Sequence, residues 1–281
     1  MDLVVEAALW LNRRLPRRSL ARRASSDAYA EWEYATGRAV FSEHFGADRL
    51  RGVRVLDAAC GPGGKTAWYA ESAAFVVGVD LAPGHLAEAR RYGAKREVAA
   101  RLAFVAGDAG RLPLRDRCMD AVTANDAMEH FADPQAVLRE LTRVVRPGGT
   151  LFVTFPPYWS ANGAHLYDYV RLPWCQVLLP SRALRAVVER AVLEEETLRG
   201  GEGVAARAAQ IAREQLDFFE HALNGMTIAR FLSLVRAEPR LRLRRLRCVP
   251  PKVRALQPLA SLPVLREYLT GLAVAELEAV G

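Results

Sequence analysis

An α/β fold built on a doubly wound, mostly parallel sheet is predicted by three observations. Between Val53 and Phe155, apolar runs of strand length alternate with stretches of helical period. The first run passes directly into a glycine-rich turn, Ala59-Cys60-Gly61-Pro62-Gly63-Gly64. Three runs end on a carboxylate: Asp57, Asp80 and Asp108. Repeated strand–helix units put helices on both faces of a parallel sheet, joined by right-handed crossovers. In such sheets the ligand crevice lies at the carboxyl ends of the strands, at the switch point beside the first strand.

Taken in order, residues 3–14 read as a helix stopped by Pro16. Arg13, Arg14, Arg17, Arg18, Arg22 and Arg23 give this segment a basic character. Such a segment is either a solvated face of a helix packed on its own domain or a surface for an anionic membrane. Ser26-Asp27 offers an N-cap for a helix carrying Tyr29, Trp32, Glu33 and Tyr34. Strands follow at 53–58, 75–80, 102–107, 119–125 and 149–155. Helices fall near 64–73, 83–93 and 134–146, with Pro83 and Pro134 in their first turns.

After Phe155 the alternation breaks. Residues 156–174 are rich in turn formers and aromatics, among them Tyr158, Trp159, Tyr167, Tyr169 and Trp174. Helices are expected near 181–199, 204–223 and 227–237, with Gly200, Gly201 and Gly203 separating the first two. Residues 241–248 and 272–279 complete the sheet as an antiparallel pair. Leu241-Arg242-Leu243-Arg244 alternates as an edge strand should, and arginine on an edge discourages aggregation. The expected domains are an N-terminal helical cap (1–52), a sheet core (53–155), a helical insertion (156–225) and the C-terminal part of the core (226–281).

With 281 residues and 51% hydrophobic content, the chain suits one large domain, or a core with an insertion. No apolar run reaches the length of a membrane span. The apolar stretch to Leu11 has its arginines after it, the reverse of a signal peptide. Four scattered cysteines without a C-x-x-C pair predict neither structural zinc nor a disulfide framework, and a reducing cytoplasm is expected. The net charge of +7 comes almost wholly from arginine, without one basic, aromatic-laced face, so nucleic acid is not an expected partner.

Three ligands use a glycine-rich turn after a first strand. The dinucleotide pattern G-x-G-x-x-G meets Thr66 at its third glycine, and Asp57 would repel a pyrophosphate. The phosphate-loop pattern ends well in Gly64-Lys65-Thr66 but meets Ala59 at its first glycine. Strand-end carboxylates around the turn describe a nucleoside pocket without a phosphate. That favours S-adenosyl-L-methionine (SAM), a sulfonium cation, whose ammonium Asp57 can order.

On these residues the sequence resembles the class I SAM-dependent methyltransferases of the small-molecule type, whose first motif reads D-x-G-C-G-x-G. Asp57, Cys60, Gly61 and Gly63 match it, and Ala59 replaces its first glycine. The Asp120–Asp126 run with Met128-Glu129-His130, and Val145-Arg146-Pro147-Gly148-Gly149-Thr150-Leu151, resemble later motifs of the family. The resemblance covers roughly residues 53–155. It implies a Rossmann-like, seven-stranded sheet with antiparallel last strands and residues 156–225 as an acceptor-binding lid. It also implies that Asp80 binds the ribose hydroxyls with Leu81 against the adenine. Asp108 would accept from the adenine amino group beside Ala109, and Ala58, Ala59 and Asn125 would complete the cofactor contacts.

Methyl transfer to an oxygen or nitrogen acceptor needs a place for the proton, and histidine suits that role. Of five histidines, His130 follows the fourth strand and His165 the fifth, so both are candidate catalytic residues, with His165 the preferred base. Asp126, Glu129 and His130 also resemble the E-x-x-E-H segment of metal-dependent relatives, with His165 as a further ligand, but no metal is included in the expected site. The expected function is methylation of a small, partly apolar or aromatic acceptor. An RNA methyltransferase and a non-catalytic SAM-binding subunit are the alternatives.

Overall fold

The computed structural model describes residues 3–250, 259, 262 and 265–281. In chain order the elements are α1 (Leu3–Arg14), α2 (Ser26–His44), β1 (Arg54–Ala58), α3 (Gly64–Ala70), β2 (Phe75–Asp80), α4 (Pro83–Lys95) and β3 (Leu102–Ala106). They continue with β4 (Met119–Asn125), α5 (Pro134–Val144), β5 (Val145–Phe155), α6 (Cys175–Leu178), α7 (Ser181–Arg199) and α8 (Val204–His221). The last are α9 (Ile228–Arg236), β6 (Leu241–Val249), α10 (Arg266–Leu269) and β7 (Leu272–Ala279).

The chain forms two compact units. One comprises Leu20–Phe155, Ala229–Arg247 and Ala273–Gly281; the other comprises residues up to Ser19, Pro156–Ile228 and Cys248–Leu272. The boundary between 19 and 20 falls inside the N-terminal segment that sequence patterning grouped as 1–52, so α1 and α2 lie in different units.

The seven strands are ordered β3-β2-β1-β4-β5-β7-β6, as expected for the doubly wound sheet. β3, β2, β1, β4 and β5 run parallel, and β7 runs antiparallel to β5. Gly271 N–H to Val249 O and Val280 N–H to Arg240 O bracket β6 and β7, whose pairing sums make them antiparallel. β6 is the edge strand. Its Arg244 pairs with Glu278 and its Arg245 with Glu276 on β7.

From β1 the chain winds outward to β2 and β3, then returns to β4 on the other side. This reversal opens a crevice between the carboxyl ends of β1 and β4. Both faces of the central strands are covered, so Val55, Leu56, Val76, Val122, Leu151 and Val153 are fully buried.

Local chemistry sets the ends of these elements. The N-cap of α2 is Ser25, one residue before the expected Ser26-Asp27. Its extended backbone lets Oγ accept from Ala28 N–H. Asp133 caps α5 by accepting from the N–H groups of Gln135 and Ala136. β5 starts at Val145, four residues before the expected 149. Its register against β4 shifts between Met119 and Ala121, a bulge that absorbs Arg146-Pro147-Gly148.

In the other unit, α1 buries Val5, Ala8 and Leu9 and is tied to α7 by Arg13–Glu194 and Arg190–Glu6 pairs. Asn12 donates to Tyr169 O and accepts from Arg171 N–H, fixing the aromatic segment after residue 156 to this helix. Among the described residues no helix is long and apolar enough to cross a membrane.

Candidate cofactor site

The site begins with the turn after β1. Ala59 takes a left-handed backbone, φ 58°, followed by Gly61 at 53° and Gly63 at 83°. Two of the glycines are required by helices that close on the turn. A Cβ on Gly63 would lie 2.6 Å from Ala89 Cβ on α4. A Cβ on Gly64 would lie 2.1 Å from Ala30 O and 2.6 Å from Glu33 Cβ on α2. Gly61 is open, with only Glu33 Oε1 within 3.9 Å of a Cβ there. The turn is therefore held from two sides and presents its free face at Gly61.

Ala59 fills a position that suits glycine, at a cost of about 1–2 kcal/mol of backbone strain. Ala59→Gly should relieve that strain and lose part of the gain to unfolded-state entropy, leaving a net stabilisation of about 0.5–1 kcal/mol in a denaturant melt. A melt unchanged or lowered would show that the Ala59 methyl contributes packing worth the strain.

The three strand-end acids differ in surroundings. Asp57 is 3% exposed and accepts from Thr66 Oγ1 at 2.6 Å and Thr123 Oγ1 at 2.9 Å. Burial pushes its carboxyl up to about 6, against the two hydroxyl bonds that favour its charge. Asp80 accepts from Gly61 N–H at 2.9 Å and from Ala82 N–H at 2.9 Å, with His85 Nδ1 at 3.3 Å. Burial raises it, but the bonds from His85, Ala82 and Gly61 prevail and hold the carboxyl below its ordinary range. The same pair holds His85 above its ordinary value. Asp108 accepts from Gly110 N–H at 2.8 Å and stays exposed.

Asp80 and Asp108 face a cavity of about 410 Å³ at the strand ends, within the usual range for a small-ligand site. Ala59, Leu81, Ala109 and His130 line it with them. Phe131 and Val137 add apolar wall that sequence patterning did not assign to the site. The acids at one end and apolar wall elsewhere suit a nucleoside: carboxylates for its hydroxyl and amino donors, carbon for its base. Leu81 is 73% exposed at the cavity.

The remaining expected cofactor residues do not line this cavity. Ala58 is buried within β1, Gly63 caps α3, and Asp57 is buried with its oxygens on Thr66 and Thr123. The Asn125 side chain is turned to Tyr69, to which its amide donates. Lys65, which completes the phosphate-loop likeness, is bent back: Nζ donates to Asn125 O at 2.9 Å and to Asp126 Oδ2 at 2.8 Å. Its ammonium is thus committed to neighbouring oxygens, and the turn offers a phosphate no lysine. Glu33 on α2 and His85 on α4 also lie beside the turn, brought there by the packing of their helices and not by a strand end.

The other histidine candidate, His165, belongs to the second unit. It has a left-handed backbone, φ 56°, and its ring lies 6.2 Å from that of Tyr167 and 6.0 Å from that of Phe218.

A family model described as "Methyltransferase domain" matches residues 56–153. The demethylmenaquinone methyltransferase of Mycolicibacterium paratuberculosis is 37% identical over 163 residues, 57% of this chain and 66% of that enzyme. The enzyme of the same name from Mycobacterium tuberculosis is 44% identical over 165 residues, 58% of this chain and 65% of its own length. The aligned part thus spans just under two thirds of those curated relatives.

Among solved structures, a geranyl diphosphate methyltransferase in complex with SAM shares the fold with a TM-score of 0.55 at 16% identity, over 88% of this chain and 86% of that one. A SAM-dependent methyltransferase from Mesorhizobium loti does so at 0.52 and 16%, over 90% and 100%. Residues 56–153 thus match a methyltransferase domain, and the sheet is of the fold seen in solved SAM-dependent methyltransferases.

Proposed function

We propose that this chain is an enzyme that methylates a small, partly apolar or aromatic molecule, using SAM bound over the β1 turn. The observation that carries this reading is the acid-rimmed, apolar-walled cavity at the strand ends of a chain that is otherwise basic. Asp80 takes the ribose hydroxyls, Leu81 and Ala109 flank the adenine, and Asp108 accepts from its amino group. When bound, SAM supplies an electrophilic methyl whose C–S bond breaks as the bond to the acceptor forms, leaving a neutral thioether. The protein contributes orientation and proton removal.

For an oxygen or nitrogen acceptor, His165 takes the proton at a ring nitrogen as the methyl arrives. Its left-handed backbone supports this role, because such strain collects at functional positions. His130, on the cavity wall, orients the reacting end. The 156–225 insertion selects the acceptor as a lid. Supporting this, its unit holds a cavity of about 580 Å³ with Tyr158, Gln176, Leu184, Leu216 and Phe219 in its wall.

The relatives' names make a demethylmenaquinone the first acceptor to try. S-adenosylhomocysteine released only when acceptor is present would support the enzyme reading. Binding of SAM without turnover on any acceptor of this class would favour a non-catalytic subunit. His165→Ala should lower turnover by about 10²–10⁴-fold with SAM affinity unchanged. Parental turnover in that variant would remove His165 from the reaction.

Two further parts of the reading concern surroundings. The exposed Leu3, Trp10 and Leu11 of α1, with Arg14 stacked on Trp10, support a peripheral contact with anionic membrane. The cysteines, all free, accord with the reducing cytoplasm as its compartment. Nucleic acid is not proposed as a partner, because the arginines at 244 and 245 are paired with acids of β7.

A further inference from the structure

Glu33 is a buried acid for which packing alone gives no reason. It lies on α2, 9% exposed, pressed against the glycine turn: its Cβ is 2.6 Å from where a Gly64 Cβ would be, and Oε1 is 3.9 Å from where a Gly61 Cβ would be. Oε2 is sealed from solvent and has no hydrogen-bond partner. A buried carboxylate oxygen without a donor is costly, and such groups are normally satisfied or serve a ligand.

The neighbouring groups leave Glu33 available. Asp57 has each oxygen bonded to a threonine hydroxyl. Lys65 gives its hydrogen bonds to Asn125 O and Asp126. Asp80 serves the turn from its other side through Gly61 N–H. The open face of the turn, at Gly61, thus has Glu33 Oε1 near it, on a carboxyl whose other oxygen, Oε2, has no donor.

We propose that Glu33 binds the α-ammonium group of SAM, so that the amino-acid tail of the ligand is held by an acid from the N-terminal helix rather than by Asp57. The inference rests on the SAM reading of the site. It assigns the adenosine half to Asp80 and Asp108 and the ammonium to Glu33, so the two halves are recognised by different elements.

This placement makes binding sensitive to pH. Burial pushes the Glu33 carboxyl up to about 7. Lys65 on α3 and the Gly64 N–H favour its charge, whereas Asp57 on β1 and Asp126 after β4 oppose it. Below that value the acid is neutral and cannot pair with an ammonium; above it the pair forms. SAM affinity should therefore rise about eightfold from pH 6 to pH 7.5, the change in the ionised fraction of a group titrating near 7.

The test compares SAM with 5′-methylthioadenosine, which carries the adenosine half without an ammonium, on the parent and on Glu33→Gln. Calorimetry at pH 6 and 7.5 should show the parent gaining about eightfold in SAM affinity and nothing for methylthioadenosine. Glu33→Gln should lose tenfold or more for SAM at pH 7.5, lose the pH dependence, and bind methylthioadenosine as the parent does. SAM binding by Glu33→Gln at parental affinity and pH slope would overturn the inference while leaving the SAM reading intact. Failure of the parent to bind either ligand would instead remove the SAM reading.

Should the variant fail to fold, the parent alone decides. At pH 7, titrations in buffers of different ionisation enthalpy should show proton release with SAM and none with methylthioadenosine. Equal proton release with both ligands would overturn the assignment.

Discussion

Asp80→Ala should weaken SAM binding by about 2–3 kcal/mol, roughly 30- to 150-fold. Two losses combine in this one change. The variant removes the acceptor proposed for the ribose hydroxyls, and it also frees Gly61 N–H and Ala82 N–H, which the carboxylate now holds at 2.9 Å each. The glycine turn would lose its side-chain tie to β2, keeping only the backbone bond from Cys60 N–H to Val79 O, and the cavity would lose one of its acids. His85, relieved of its partner, should titrate lower than in the parent, because the Asp80 bond is what raises it. Calorimetry gives the affinity and NMR titration of the His85 ring gives the second readout. Asp80→Asn, which keeps an acceptor oxygen but no charge, should fall between parent and alanine. Parental SAM affinity in Asp80→Ala would mean that the ribose is held elsewhere.

Gly63→Ala should be strongly destabilising. The new methyl would meet Ala89 Cβ at 2.6 Å on a backbone at φ 83°. Overpacking typically costs about 1–3 kcal/mol and the left-handed backbone about 1–2 more. At ~2–4 °C per kcal/mol for large domains, the melting temperature should fall by about 4–20 °C. Gly61→Ala provides the internal comparison. It carries the same class of backbone strain, φ 53°, but its methyl has 3.9 Å to the nearest atom, so only the strain should be lost. Equal losses in the two variants would show that contact with α4 does not explain Gly63.

Much of the fold could be read from the chain because its strands are short, apolar and closed by acids. β4 and β7 begin and end where the pattern of apolar residues places them, and so do α1 and α7, bounded by Pro16, Pro180 and Gly200. The doubly wound sheet with antiparallel last strands was legible in the strand–helix alternation and the resemblance, whereas the order of its strands comes from the structure. α6 and α10, at four residues each, are too short for a helical period to register. The early start of β5 depends on a bulge against β4, which no local signal in Val145–Gly149 announces.

The site was legible where one strand end makes the contact and hidden where packing does. Asp80 and Asp108 stand at the cavity because β2 and β3 end there. The commitment of Asp57 to Thr66 and Thr123 depends on partners 9 and 66 residues away. Glu33 looked like one more polar position on a helix. Only the close approach of α2 to Gly64 turns it toward the turn. Lys65 shows the converse: the sequence gives it a phosphate-loop setting, and the fold bends it onto Asp126.

The most direct test of the central claim is a calorimetric titration of the purified protein with SAM, S-adenosylhomocysteine, NAD and ATP under one set of conditions. An acid-rimmed nucleoside cavity with no lysine free at its turn predicts binding of the first two at about micromolar concentration and none of the two phosphate-bearing ligands at millimolar. Absence of SAM binding at millimolar ligand, or tight binding of NAD or ATP, would contradict it.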